Sequence, residues 1–166
     1  MKRLRVALAA LLLAALPGSA RGRDACADCR YPGALEALFP AARALGPAWE
    51  TVEEAPEDSA GDPDLVSAGV TAIHALHYTR QVTGGARVCS GEIWAFGSTA
   101  QARHASAGNE RAGWRIAVLG NLWVMVRGVR FQRGRSLDPG LLPECHRLAD
   151  LLEANAREAL EATRTR

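Results

Sequence analysis

Residues 70–82 are rich in β-branched and aromatic side chains, and residues 87–96 close on the apolar Ile93-Trp94-Ala95-Phe96. With Thr83-Gly84-Gly85 between them they predict a β-hairpin, although Val70, Ile73 and His77 would also line one side of a helix. Ser98-Thr99-Ala100-Gln101 then supplies a capping box, so a short alanine-rich helix to about Ala107 is expected. A second hairpin is predicted from Trp114–Leu119 and residues 122–131, joined by the two-residue turn Gly120-Asn121. In its second strand Leu122, Val124 and Val126 share one face, while Trp123, Met125 and Val129 share the other. Both faces of this strand are therefore apolar. Farther on, Leu141, Cys145, Leu148, Leu152 and Ala159 recur at three- and four-residue spacing. They mark an amphipathic helix whose polar face carries Glu144, Arg147, Asp150, Glu153, Glu158 and Glu161.

The order β-β-α-β-β-α predicts an α+β fold: an antiparallel sheet of about four strands with helices on one face. Upstream, residues 33–45 read as a short helix interrupted near Pro40, an N-terminal helical appendage to the sheet. From Glu50 to Asp64 the chain carries seven acidic residues and no basic one, with two prolines and a glycine, which predicts a solvated loop. The expected organisation is a leader over 1–20, a cysteine-containing helical segment over 21–49, an acidic loop over 50–67 and an α+β domain over 68–166. Over roughly residues 68 to 162 this pattern resembles secreted α+β domains of bacterial lipoproteins and extracellular sensors. The resemblance rests on element order alone and implies no function and no site residue.

The leader changes how the composition reads. Lys2, Arg3 and Arg5 precede an uncharged apolar run over 6–16, and Pro17-Gly18-Ser19-Ala20 offers small residues where a signal peptidase cuts. A bilayer-spanning helix needs about 20 apolar residues, so this run predicts a cleaved signal peptide and a periplasmic or secreted product, with no integral membrane segment after cleavage. The whole chain of 166 residues has a formal net charge of +2 from 20 Lys+Arg and 18 Asp+Glu. Removing the leader takes three of those cations and none of the anions, leaving 17 against 18, or −1. Lys2 is the only lysine, and no Asn-x-Ser/Thr sequon is present, a combination that fits a GC-rich bacterial genome.

An exported chain with four cysteines is expected to form disulfides, and four cysteines allow three pairings. Cys26 with Cys29 and Cys89 with Cys145 is the expected arrangement; the alternative crosses the two pairs. The Cys26-Ala27-Asp28-Cys29 motif is not a c-type haem site, because Arg30 follows where histidine is required. A thioredoxin-like role would place it after a buried strand, and no strand pattern precedes it. His74 and His77 would share a metal ion only on a helix, since alternation in a strand sends them to opposite faces. No metal and no cofactor is expected.

Residues 80–135 hold nine arginines against Glu92 and Glu110. Arg127, Arg130 and Arg133 at the end of the second hairpin, with Trp123 and Met125 on the apolar strand, are the candidate binding residues. Alternation puts Arg127 and Arg130 on opposite faces, which argues against one continuous patch. The partner these residues suggest is an envelope protein or a small anionic ligand, and a near-neutral exported chain argues against nucleic acid. No nucleophile elbow, zinc-protease helix or phosphate loop is present. The chain therefore reads as an exported, non-enzymatic binding or accessory domain, with a thiol-redox or metal protein built on Cys26 and Cys29 as the alternative.

Overall fold

A computed structural model of the chain describes residues 29–53, 62–107, 113–132, 135–137 and 141–165. The expected leader over 1–20, together with Cys26 and Arg133, lies outside them. The two hairpins form as the period-two pattern predicts. Strands β2 (Val70–Val82) and β3 (Gly85–Phe96) pair through a tight turn in which Gly84 has φ +79. Strands β4 (Trp114–Leu119) and β5 (Leu122–Gln132) pair around Gly120, whose φ of +55 suits glycine. Helix α2 (Thr99–Ser106) starts at Ser98, whose Oγ accepts from the Gln101 amide at 3.2 Å.

The sheet is antiparallel and larger than expected, with six strands among the described residues: β1 (Glu50–Glu53), then β2, β3, β5 and β4 in that order, and β6 (Arg135–Leu137) pairing with β5. The two additions are short. Strand β1 (Glu50–Glu53) lies inside the acidic stretch expected to be a loop, and it pairs Val52 with His77 at the edge of β2. Edge strands tolerate acidic side chains because one side of the backbone remains in water. A five-residue helix, α1 (Pro63–Ser67), follows, capped by Asp62 accepting from the Asp64 amide at 2.9 Å.

Helix α3 (Pro143–Arg164) lies against one face of the sheet, as expected. Cys145, Leu148, Leu152, Ala156 and Leu160 are buried there against Cys89, Ile93, Leu122, Val124 and Val126. Gly91 makes the close approach possible, because a Cβ there would stand 3.0 Å from Leu152 Cδ1 and 3.2 Å from Phe39 Cε1. Glu153 departs from the expected polar face, being only 8% exposed. Arg115 of β4 draws it inward at 2.6 Å while also meeting Asp150 at 2.8 Å, and Arg157 holds its other oxygen at 3.0 Å.

The N-terminal segment is not an appendage. In place of one interrupted helix it forms two 3-10 turns, Leu35–Leu38 and Ala42–Leu45, divided at Pro40. Leu35, Leu38, Leu45 and Trp49 are buried in the same core as α3. Backbone groups fasten it as well: Asn155 Nδ2 donates to the Leu38 carbonyl at 2.8 Å, and the Tyr78 hydroxyl donates to the Pro40 carbonyl at 2.7 Å. Burial pushes the Tyr78 hydroxyl's pKa far up, so this bond keeps its proton at all physiological pH.

Helix α2 packs on the opposite face, where helices were not expected. Ala102 lies with Val70, Ile73, Phe96, Trp123 and Met125 in a second apolar cluster, and the Trp123 indole donates to the Ala102 carbonyl at 2.7 Å.

Candidate functional site

Coverage of the two faces differs because the helices differ in length. At 1.5 Å per residue, the 22-residue α3 reaches about 33 Å, while the 8-residue α2 reaches about 12 Å. Strands β2 and β3, with 13 and 12 residues, run about 40 Å. So α2 shields the Val70, Phe96 and Trp123 end of its face and leaves the other end bare.

The bare end contains a hollow of about 280 Å³ bounded by Val52, His77, Val88, Arg127, Val129 and Phe131. The register puts these side chains together across four strands: Val52 opposes His77, His77 opposes Ser90, Ser90 opposes Arg127, and Val88 opposes Val129. Val52 is 51% and Phe131 42% exposed, high values for large apolar side chains on one face of a sheet. At the inner border the Arg127 guanidinium lies over the Trp114 ring, 4.9 Å from its centroid. That stacking restrains the guanidinium without neutralising it.

Two of the expected binding residues are not available. Trp123 is 2% exposed and Met125 fully buried, both beneath or beside α2, so they are core residues of the second apolar cluster. Arg127 faces the hollow, whereas Arg130 faces the side of α3, as alternation requires. The residues missing from the sequence reading are Val52, Val88 and Phe131. Phe131 was within reach of it, since it continues the series Trp123, Met125, Arg127 and Val129 along one face. Val52 was not, because only pairing with β2 brings an edge residue from the acidic stretch to this place.

The histidines do not converge. His74 meets the edge of the Phe39 ring on the α3 side, centroids 5.0 Å apart, while His77 lines the hollow on the other face. Segment 70–82 is thus a strand through both. Cys89 and Cys145 are joined as expected, with Cα atoms 5.3 Å apart, tying the middle of the sheet to the first turn of α3. Cys29 is disulfide-bonded as well. Among the described residues no group of three histidine, cysteine or carboxylate side chains is placed to hold a metal ion, and no helix is long and apolar enough to cross a membrane.

No family model and no curated protein matches the sequence. Among solved structures, the crystal structure of the extracellular domain of PknH from Mycobacterium tuberculosis superposes with a TM-score of 0.46 and 14% identity, covering 76% of this chain and 98% of that one. A likeness this loose assigns neither a ligand nor a residue.

Proposed function

We propose that the protein is an exported binding domain whose ligand is a small, largely apolar molecule with an anionic end, seated on the half of the sheet that α2 leaves bare. The observation that carries the proposal is the exposed apolar hollow of Val52, Val88, Val129 and Phe131 with Arg127 at its border. Its volume of about 280 Å³ is close to the lower end of small-ligand sites, about 300 Å³. Apolar walls contribute affinity through buried area, and one stacked guanidinium selects for a negative group. Export is supported by the leader pattern over 1–20 and by the Cys89–Cys145 disulfide, a bond that persists in oxidising compartments.

Displacement of the dye ANS by decanoate and by its neutral analogue decanol tests the site. Phe131→Asp is expected to abolish both. Arg127→Gln is expected to weaken decanoate and leave decanol unchanged. Wild-type affinity for both compounds in Phe131→Asp would overturn the assignment. Intact mass of the protein recovered from the cell envelope tests the address: a chain beginning near residue 21 supports export, and a full-length chain confined to the cytoplasm refutes it.

A further inference from the structure

On the α3 side of the sheet, three arginines stand in one row across three strands. Arg80 of β2 opposes Arg87 of β3, and Arg87 opposes Arg130 of β5. Like charges directly opposite one another in an antiparallel sheet are unfavourable, so such a row requires compensation. Glu144, in the first turn of α3, supplies part of it. Its Oε1 accepts from Arg80 Nη2 at 3.0 Å and from Arg87 Nη1 at 2.6 Å. Arg130 shares in neither contact, and no carboxylate pairs with it among the described residues. Three guanidiniums against one carboxylate leave two positive charges at one end of the sheet.

The surplus lies beside a hollow in the surface. A hollow of about 300 Å³ is lined by Arg87, Arg130 and Gln132 together with Val82, the Thr83-Gly84-Gly85 turn and Phe131, which also borders the apolar hollow. The Gly84 position is open, with no heavy atom within 4 Å of where a Cβ would stand, so the turn leaves room beside the arginines. The Arg130 fork can give a tetrahedral oxyanion paired N–H donors, and Arg87, whose Nη1 already donates to Glu144, can add a further one.

We infer that this hollow is a phosphate-binding site, adjoining the apolar hollow at Phe131 but centred on the α3 side of the sheet, in which Arg130 supplies the unneutralised charge and Arg87 a further donor. The phosphate group can be free, carried by a small soluble ester, or presented by a lipid headgroup. The arms of the test separate these sources.

Calorimetric titration of the full exported chain at low salt, with inorganic phosphate, glycerol phosphate, and vesicles of phosphatidylcholine with and without phosphatidic acid, provides that test. Binding of phosphate or its soluble ester is expected to weaken on the order of tenfold or more in Arg130→Gln, with Arg130→Lys in between because lysine keeps the charge and loses the fork. Arg164→Gln, exposed at the far end of α3, is expected to leave this binding unchanged. Arg130→Gln removes a repulsive neighbour of Arg87, so it is expected to melt at or above the wild-type temperature. Binding confined to vesicles containing phosphatidic acid, and lost in Arg130→Gln, keeps the site and assigns the lipid source. Absence of binding in every arm, or equal binding by wild type and Arg130→Gln, overturns the inference.

Discussion

Asn121 is the residue whose replacement we expect to be most informative about how the N-terminal segment is held. It is 3% exposed, and its side chain makes two long-range bonds. Oδ1 accepts from the Tyr31 amide at 2.8 Å, and Nδ2 donates to the Phe96 carbonyl at 2.8 Å. Asn121→Ala leaves a backbone donor and a backbone acceptor without their partners. Each unsatisfied buried group costs about 1 to 3 kcal/mol, so a total of about 2 to 4 kcal/mol is expected after partial relaxation. Asn121→Asp is more discriminating. Its carboxylate can still accept from Tyr31 but repels the Phe96 carbonyl, whereas the protonated acid can donate there. The folded state thus raises this carboxyl's pKa above its unfolded value, about 4. The stability it contributes is present at pH below the unfolded value and is lost as pH rises through the folded one. Urea denaturation followed by tryptophan fluorescence at pH 7 and pH 4 measures both variants. The reasoning is refuted if Asn121→Ala lies within about 0.5 kcal/mol of wild type, the range of an ordinary surface substitution, or if Asn121→Asp costs as much at pH 4 as at pH 7.

Other perturbations test the remaining parts of the frame. Replacing both Cys89 and Cys145 by serine opens a loop with a sequence separation of 56 and is expected to cost about 4 kcal/mol in the chain-entropy account, read as a lower urea midpoint; an unchanged midpoint refutes the staple. Gly91→Ala is expected to cost about 1 to 3 kcal/mol by pressing on Leu152, and adding Leu152→Val should recover part of it; strict additivity of the two changes removes that contact from the explanation. Burial raises the Glu144 carboxyl's pKa, but its own helix-terminal amide and the Arg87 and Arg80 guanidiniums outweigh this and hold it below the usual value. Its stabilisation is then present above the ordinary carboxylate range and lost as pH falls through the lowered value, so the gap between wild type and Glu144→Gln should narrow between pH 7 and pH 3. A constant gap contradicts this.

What the residue pattern reveals follows from which interactions are local. The hairpins were legible because side chains alternate with period two and because Gly84 and Gly120 sit where φ must be positive. The start of α2 was legible because Ser98 and Gln101 meet within one turn. Long-range partners were not legible. Asn121 reads as a turn residue, and only the arrival of Tyr31 makes it a clamp. Glu153 reads as solvent-facing until Arg115 approaches from β4. Trp123 and Phe131 carry equal apolar weight on one face of one strand, and hydrophobicity cannot tell core from site between them. The length of α2 decides it: the helix ends before it reaches Phe131.

The arginine row and the disulfide belong to one arrangement. Cys89 lies two residues beyond Arg87 on the same face of β3, and Cys145 follows Glu144 directly in α3. The covalent bond therefore confines Glu144 to the neighbourhood of Arg80 and Arg87, and pairing there does not depend on the flexible reach of long side chains. An exposed ion pair must offset the entropy of holding both partners, and for that reason contributes little; one held beside a disulfide loses much less. One carboxylate is thereby shared by Arg80 and Arg87, and Arg130, on the strand across from Arg87, takes no part in that contact. A sheet that needed only stability would be served as well by a neutral residue at position 130. Retaining the cation beside a cavity, at the cost of repulsion from Arg87, is the physical reason to seek an anion there.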